Sequence, residues 1–308
     1  MSILTNTPKV IWSATPTPFL ADGALDMAAL ERVVDQHLRL GVTGLFLAGS
    51  CGGGPFMPND QRVELVRSVA RLAGSRLRIA AQVSDTSAAR VRENIGRMEQ
   101  AGAHTVVVAP PWIARFCNRD FARRYFHESI EAATVPVGIY VQQQPPETGL
   151  DLALWLELAN HPRIVLVKDS SGSAEYCQAF AKVRQQRPDL LLLTGNEFDV
   201  RSAVAAGYDG ALLGTGILNG QLIRRALSAD GAAWQQRSNE FLWDLFGRDI
   251  RLWLGGLKYA LTRLGIFSTE FMHLSYPLTA ADRARIDAAL EREREFISPS
   301  SKGGHAQV

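Results

Sequence analysis

Lys168 directly follows the apolar run Ile164-Val165-Leu166-Val167, an unusual place for a cation. Lysine is rarely buried without a partner. Removed from water, its charged form is disfavoured, and the free amine becomes a nucleophile toward a ketone. A structural ion pair with Asp169 or Glu197 also fits this position. Tyr140 stands at the end of the preceding run, Val135–Val141, where a phenol beside an ammonium can relay protons. A rim tyrosine hydrogen-bonded to backbone is the alternative there. The turn Gly49-Ser50-Cys51-Gly52-Gly53-Gly54 leads toward a helix near Pro58-Asn59-Asp60. Its backbone N–H groups, with the Ser50 and Cys51 side chains, can hold a carboxylate, although glycine turns also serve sharp geometry alone. No Gly-Lys-Ser/Thr follows, so the turn is not a P-loop, and it is not a dinucleotide fingerprint either.

These residues need elements to bring them together. Short aliphatic runs recur at Val10–Ala14, Gly44–Leu47, Leu77–Val83, Thr105–Ala109, Val135–Val141, Ile164–Val167, Leu190–Leu193 and Gly210–Leu213. Near-continuous hydrophobic runs are expected of parallel strands buried on both faces. Helical patterns separate them at Met27–Leu40, Arg62–Ala73, Ser87–Gln100, Asp120–Ala132, Leu152–Ala159, Ser173–Arg187 and Val200–Ala206. Glycine stops follow several helices, at Gly41, Gly102 and Gly207. Strand–helix alternation through eight cycles predicts a closed (β/α)8 TIM barrel rather than an open doubly wound sheet. Further helices are expected over Gln221–Leu264 and Thr279–Phe296. The chain thus divides into a barrel over 1–225, a helical extension packed on it over 226–297, and a disordered tail over 298–308. In such a barrel the active site lies at the C-terminal ends of the strands. Ser50, Tyr140, Lys168 and Gly195 all fall there.

The 308 residues, 46% of them hydrophobic, can bury a large core. Lysine plus arginine (33) nearly balance aspartate plus glutamate (31), which leaves no electrostatic footprint for nucleic acid or an acidic membrane. Cys51, Cys117 and Cys177 are odd in number and show no metal-ligand spacing. A disulfide framework or zinc site is not expected, and a reducing cytosol fits. Neither a signal peptide nor an apolar run of about 18 residues is visible. A soluble cytoplasmic protein with a small-molecule partner is expected.

Together these motifs resemble the dihydrodipicolinate synthase / N-acetylneuraminate lyase family of class I aldolases and dehydratases. The likeness runs through Thr15-Pro16-Thr17-Pro18-Phe19 with Asp22-Gly23, the turn Gly49-Ser50-Cys51-Gly52, Pro136-Val137-Gly138-Ile139-Tyr140, Thr148-Gly149, and Val167-Lys168-Asp169-Ser170-Ser171-Gly172. It implies that Lys168 forms an imine with the ketone of pyruvate or another 2-oxo acid. Tyr140 would relay protons, and Ser50 would act with them. Cys51, with Gly49 and Gly52, would hold the carboxylate. Thr148, Gly195 and Leu212 complete the implied substrate contacts. The resemblance also implies a homotetramer built as a dimer of dimers, with neither metal nor organic cofactor.

Four departures bear on the substrate. Gly53 stands where the family turn carries a glutamate, and Cys51 where it carries a threonine; a thiol is a weak hydrogen-bonder. Trp112 falls near a relay tyrosine of the dihydrodipicolinate synthases, and an indole cannot pass protons in the same way. The segment between Tyr140 and Thr148-Gly149 is longer than usual. Glu147 falls where those enzymes carry a carboxylate-binding arginine, which inverts the charge logic. A Schiff-base lyase for a 2-oxo acid other than the lysine-pathway substrate is therefore expected. Dihydrodipicolinate synthase proper is one alternative, and a family member reduced to binding or regulation is the other. Trp112, Ile113, Phe116 and Trp253 suggest either an apolar distal part of the substrate or a subunit interface.

Overall fold

The computed structural model describes residues 9–247, 253–274 and 277–298. Eight strands, β1 (Val10–Ala14), β2 (Gly44–Leu47), β3 (Arg78–Gln82), β4 (Thr105–Val108), β5 (Val137–Val141), β6 (Ile164–Asp169), β7 (Leu191–Thr194) and β8 (Gly210–Leu213), pair in sequence order. Every pairing is parallel, and β8 closes on β1. The expected (β/α)8 barrel is present.

Side chains alternate across each strand, and the barrel sorts them into two cores. Trp12, Ala14, Phe46, Ala80, Val107, Tyr140, Leu166, Leu193 and Leu212 belong to one cluster, which fills the interior. Their neighbours Ile11, Leu45, Val106, Ile139, Val167, Leu192 and Ala211 join the outer cluster beneath the helices. Lys168 lies two residues beyond Leu166, so the same alternation aims it into the interior.

The outer layer comprises α1 (Met27–Arg39), α2 (Asn59–Ala73), α3 (Ala88–Gln100), α4 (Arg119–Ala132), α5 (Leu152–Ala159), α6 (Ala174–Gln186), α7 (Val200–Ala206) and α8 (Gly216–Ala226). Side chains of Asp26, Ser87, Asn118, Asp151 and Ser173 cap the starts of α1, α3, α4, α5 and α6 by accepting from backbone N–H groups of the first turn. Then come α9 (Ala232–Phe246), α10 (Trp253–Arg263), α11 (Ala280–Arg292) and α12 (Arg294–Ile297). The helix expected to begin at Gln221 starts at Gly216, directly after β8. Its expected stretch is divided into α8, α9 and α10. Phe241, Leu242 and Leu245 of α9 and Leu257, Ala260 and Leu261 of α10 share the cluster of the barrel interior. Apart from Ser298, the tail expected over 298–308 lies outside the described residues. No helix among the described residues is long and apolar enough to cross a membrane.

Candidate active site

Tyr140 and Lys168 are register partners on the adjacent strands β5 and β6. Both are buried, and the Lys168 Nζ lies 4.0 Å from the centre of the Tyr140 ring and 5.1 Å from that of Phe46. The ammonium therefore rests on aromatic faces, an arrangement that is attractive when water is excluded. Phe46 meets the phenol ring edge-on, with centres 6.0 Å apart. The ion pair that the sequence allowed for Lys168 does not occur among the described residues. Asp169 points outward by strand alternation, accepting from Tyr208 Oη at 2.6 Å and from the Ser171 N–H at 2.9 Å. Glu197 accepts from the N–H groups of Gly214 (2.6 Å) and Thr215 (3.2 Å) and from the Thr215 hydroxyl.

The two side chains open into a cavity of about 490 Å³ at the C-terminal mouth of the barrel. Ser50, Cys51, Tyr140, Lys168, Gly195 and Leu212, all expected at the site, line it. So do Ser170, Asn196 and Glu197 from the ends of β6 and β7, and an aromatic wall of Phe198, Phe246 and Trp253. Gly52 lies on the far side of the turn, lining a smaller adjoining cavity that also touches Cys51. Gly49, Trp112, Glu147 and Thr148 are not brought to the mouth. Thr148 is buried in a 3-10 turn, its hydroxyl donating to the Pro145 carbonyl at 2.7 Å. Glu147 is exposed, and Trp112 packs 5.3 Å beneath the Arg62 guanidinium. Of the four apolar residues singled out in the sequence, only Trp253 lines the cavity; Ile113 and Phe116 are exposed.

The glycine turn begins at Ala48, whose φ of 55° is a left-handed conformation uncommon outside glycine. Gly53 N–H donates to Ser50 O and Gly54 N–H to Gly49 O, so two of the turn's donors are consumed internally. The N–H groups of Cys51 and Gly52 have no such partner among the described residues. The Cys51 thiol donates to the Gly214 carbonyl at 3.5 Å.

Charge in the mouth is coupled. Burial drives the Tyr140 phenol up, but the Lys168 charge and hydrogen bonds from Gln142, Ser170 and Lys168 outweigh it, leaving the phenol below its ordinary value. Burial raises the Cys51 thiol, reinforced by Glu197 and opposed by Lys168 and Lys258, so this cysteine is a neutral thiol rather than a thiolate nucleophile. Glu197 is also raised, because burial exceeds the help of its hydrogen bonds from Thr215 and Gly214. No cluster of His, Cys, Asp or Glu suited to a metal ion occurs among the described residues. The site is a buried amine, a phenol and a polar turn facing an aromatic wall.

A closed parallel barrel with a lysine and a tyrosine paired at its mouth is the architecture this sequence resembled. The chain belongs to the dihydrodipicolinate synthetase family, whose model matches residues 7–292. A 4-hydroxy-tetrahydrodipicolinate synthase of Aromatoleum aromaticum is 26% identical over 285 residues, covering 91% of this chain and 96% of its own. The protein of the same name from Stenotrophomonas maltophilia is 29% identical over 285 residues, covering 89% and 93%. Among solved structures, a prophage protein of this family from E. coli K12, in complex with pyruvate, superposes with a TM-score of 0.82 at 23% identity, over 93% of this chain and 98% of its own. A Clostridium difficile protein in complex with mannosamine gives 0.81 at 19% identity, over 92% and 98%. At these identities the superpositions speak to the fold.

Proposed function

We propose that this protein is a Schiff-base lyase acting on a 2-oxo acid, with Lys168 as nucleophile and Tyr140 as proton relay. The observation that carries the reading is the in-register pair itself, with Nζ 4.0 Å from the phenol ring inside the mouth cavity. Lys168 Nζ adds to the C2 ketone, and Tyr140 moves protons between nitrogen and the carbinolamine oxygen until water leaves. The resulting iminium accepts electrons from C3. In a 4-hydroxy acid, loss of the C4 hydroxyl proton to the Tyr140 oxygen with cleavage of C3–C4 releases an aldehyde and an enamine, which takes that proton back at C3 and is hydrolysed to pyruvate; in the dehydrating variant a proton leaves C3 and the C4 hydroxyl departs, protonated, as water. The Cys51 N–H and the Ser50 hydroxyl, both at the mouth cavity, supply the donors for the carboxylate.

Phe198, Phe246 and Trp253 on the facing wall support a substrate whose distal part is apolar or bulky. The curated relatives carry the name 4-hydroxy-tetrahydrodipicolinate synthase; because Glu147 lies exposed away from the mouth, it is the aromatic wall, not the charge at Glu147, that weighs against condensation of pyruvate with aspartate semialdehyde here. We further propose a cytoplasmic homotetramer, its apolar contacts including the exposed Phe56, Ile113 and Phe116. Incubation with pyruvate and borohydride tests the chemistry. Intact mass is expected to rise by one reduced pyruvate adduct in the wild type and not in Lys168→Ala. No adduct in the wild type overturns the reading, and rapid turnover with aspartate semialdehyde overturns the substrate argument.

A further inference from the structure

A second buried lysine stands behind the glycine turn. Lys258, on α10, is 4% exposed, and its ammonium donates to the Thr17 carbonyl while lying 4.7 Å from the Phe19 ring centre and 5.0 Å from that of Phe267. It shares with Cys51, Gly52 and Gly53 a cavity of only about 20 Å³, too small for a substrate. Thr17 in turn supports the turn from below. A Cβ on Gly52 would fall 3.1 Å from Thr17 Oγ1 and 2.9 Å from the Thr15 carbonyl, so the turn is seated on this segment.

We infer that Lys258 is a positioning residue for the substrate carboxylate: it fixes the Thr17 segment under Gly52 and supplies, from behind, the positive charge that the turn itself lacks. This rests on the lyase reading given above. Lys168 approaches the turn from the cavity side and becomes the cationic iminium, whose charge is spent when it accepts electrons from C3; Lys258 holds its charge on the opposite side of a carboxylate at Cys51 throughout. Burial lowers Lys258 to a pKa of about 7, with Cys51 opposing. The titratable groups facing it are Cys51 from the turn and His273 from the segment after α10. Cys51 stays neutral, and burial together with Lys258 holds His273 below its ordinary value; Glu197, also raised by burial, stands on the cavity side of Cys51, so the step that belongs to Lys258 is the one that Lys258→Arg removes. The sign follows: a carboxylate binds more tightly while Lys258 is charged, so affinity falls as pH rises through about 7.

The test is the pyruvate concentration that half-saturates borohydride trapping from pH 6 to 9, in wild type, Lys258→Arg and Lys258→Met, with thermal melts of each. The arginine keeps its charge across the range and methionine never has one. Relative to Lys258→Arg, the wild type is expected to match at pH 6 and to need about tenfold more pyruvate at pH 9, a shift equivalent to one pKa unit. Lys258→Met is expected to be about tenfold weaker than wild type at pH 6 and equal to it at pH 9. A common pH dependence in all three proteins, with adduct still formed, overturns the role of Lys258 alone. No adduct in any of them overturns the lyase reading and this inference together.

Discussion

Gly195 lies so close to Ser170 that a Cβ on it would fall 1.9 Å from the serine hydroxyl and 3.2 Å from Lys168 Cε. The glycine directly follows β7, beside β6, and its N–H donates to the Asp169 carbonyl. A side chain here would push directly on the residues that flank the amine. Gly195→Ala is therefore expected to slow imine trapping by roughly tenfold or more, because small displacements of a reacting group are costly. Overpacking should also cost about 1–3 kcal/mol of stability. Trapping rate and thermal melting, measured on the same sample, separate the two effects; an unchanged trapping rate would show that Ser170 and Lys168 shift freely.

Tyr140→Phe keeps the ring on which Lys168 rests and its contact with Phe46 and removes only the hydroxyl. Pyruvate should still add to Lys168, giving the same mass after borohydride. Turnover with the full substrate should fall by roughly 10²-fold or more if the phenol is the proton relay. The phenol sits below its ordinary pKa. An alkaline ionisation in the rate should accordingly appear below pH about 10 in the wild type and vanish in the variant. Equal turnover in the two proteins would remove Tyr140 from the mechanism.

Much of this arrangement was legible in the chain itself. The limits of β1, β2 and β8 coincide with their apolar runs. The runs at Leu77–Val83 and Val135–Val141 overreach β3 and β5: Leu77 and Val83 are buried just outside the limits of β3, whereas half-buried Val135 and exposed Pro136, which has no N–H to donate, precede β5. Conversely β6 continues through Lys168 and Asp169, since backbone pairing does not depend on side-chain polarity. Placing Lys168 and Tyr140 side by side needed only strand order and the period of two. The place of Lys258 is hidden in the sequence because its carbonyl partner, Thr17, is 241 residues away and meets it only once α10 folds over the first loop. Its signal was a single cation inside Leu257-Lys258-Tyr259-Ala260-Leu261. The positions of Trp112, Thr148 and Glu147 depended on turns whose course hydrophobic pattern does not encode.

His37 gives a prediction about acid stability. It is fully buried on α1, its Nδ1 pairs with the Val33 carbonyl at 2.7 Å, and burial lowers its pKa to about 4 while that hydrogen bond opposes the shift. The unfolded chain binds this proton near pH 6.5 and the folded chain only near 4, so the unfolded state holds more protons between those values. Stability should be fully present above pH about 6.5 and fall as pH drops toward 4, by up to about 3 kcal/mol from this group. Denaturant titrations at pH 7, 5.5 and 4.5 check it. His37→Gln should lose that part of the slope, and an identical slope in the variant would assign the acid sensitivity elsewhere.

Trp253 tests what the aromatic wall is for. Its indole lies across the mouth so closely that a Cβ on Gly214 would come within 2.3 Å of Cζ2, and Phe246 meets it edge-on at 6.2 Å. Lys168, Tyr140 and the turn would read the 2-oxo acid head, whereas Trp253 would touch only what lies beyond C3. Trp253→Ala should therefore leave pyruvate trapping almost unchanged. For 2-oxo acids with apolar or aromatic distal groups, losing part of an aromatic contact is worth about 1–1.5 kcal/mol. The corresponding rise in KM is about tenfold, with a smaller change in kcat. A panel of 2-oxo acids of increasing distal bulk, assayed on both proteins, gives the answer. If KM rises equally for pyruvate and for the bulky members, Trp253 shapes the whole mouth and the apolar-substrate reading fails.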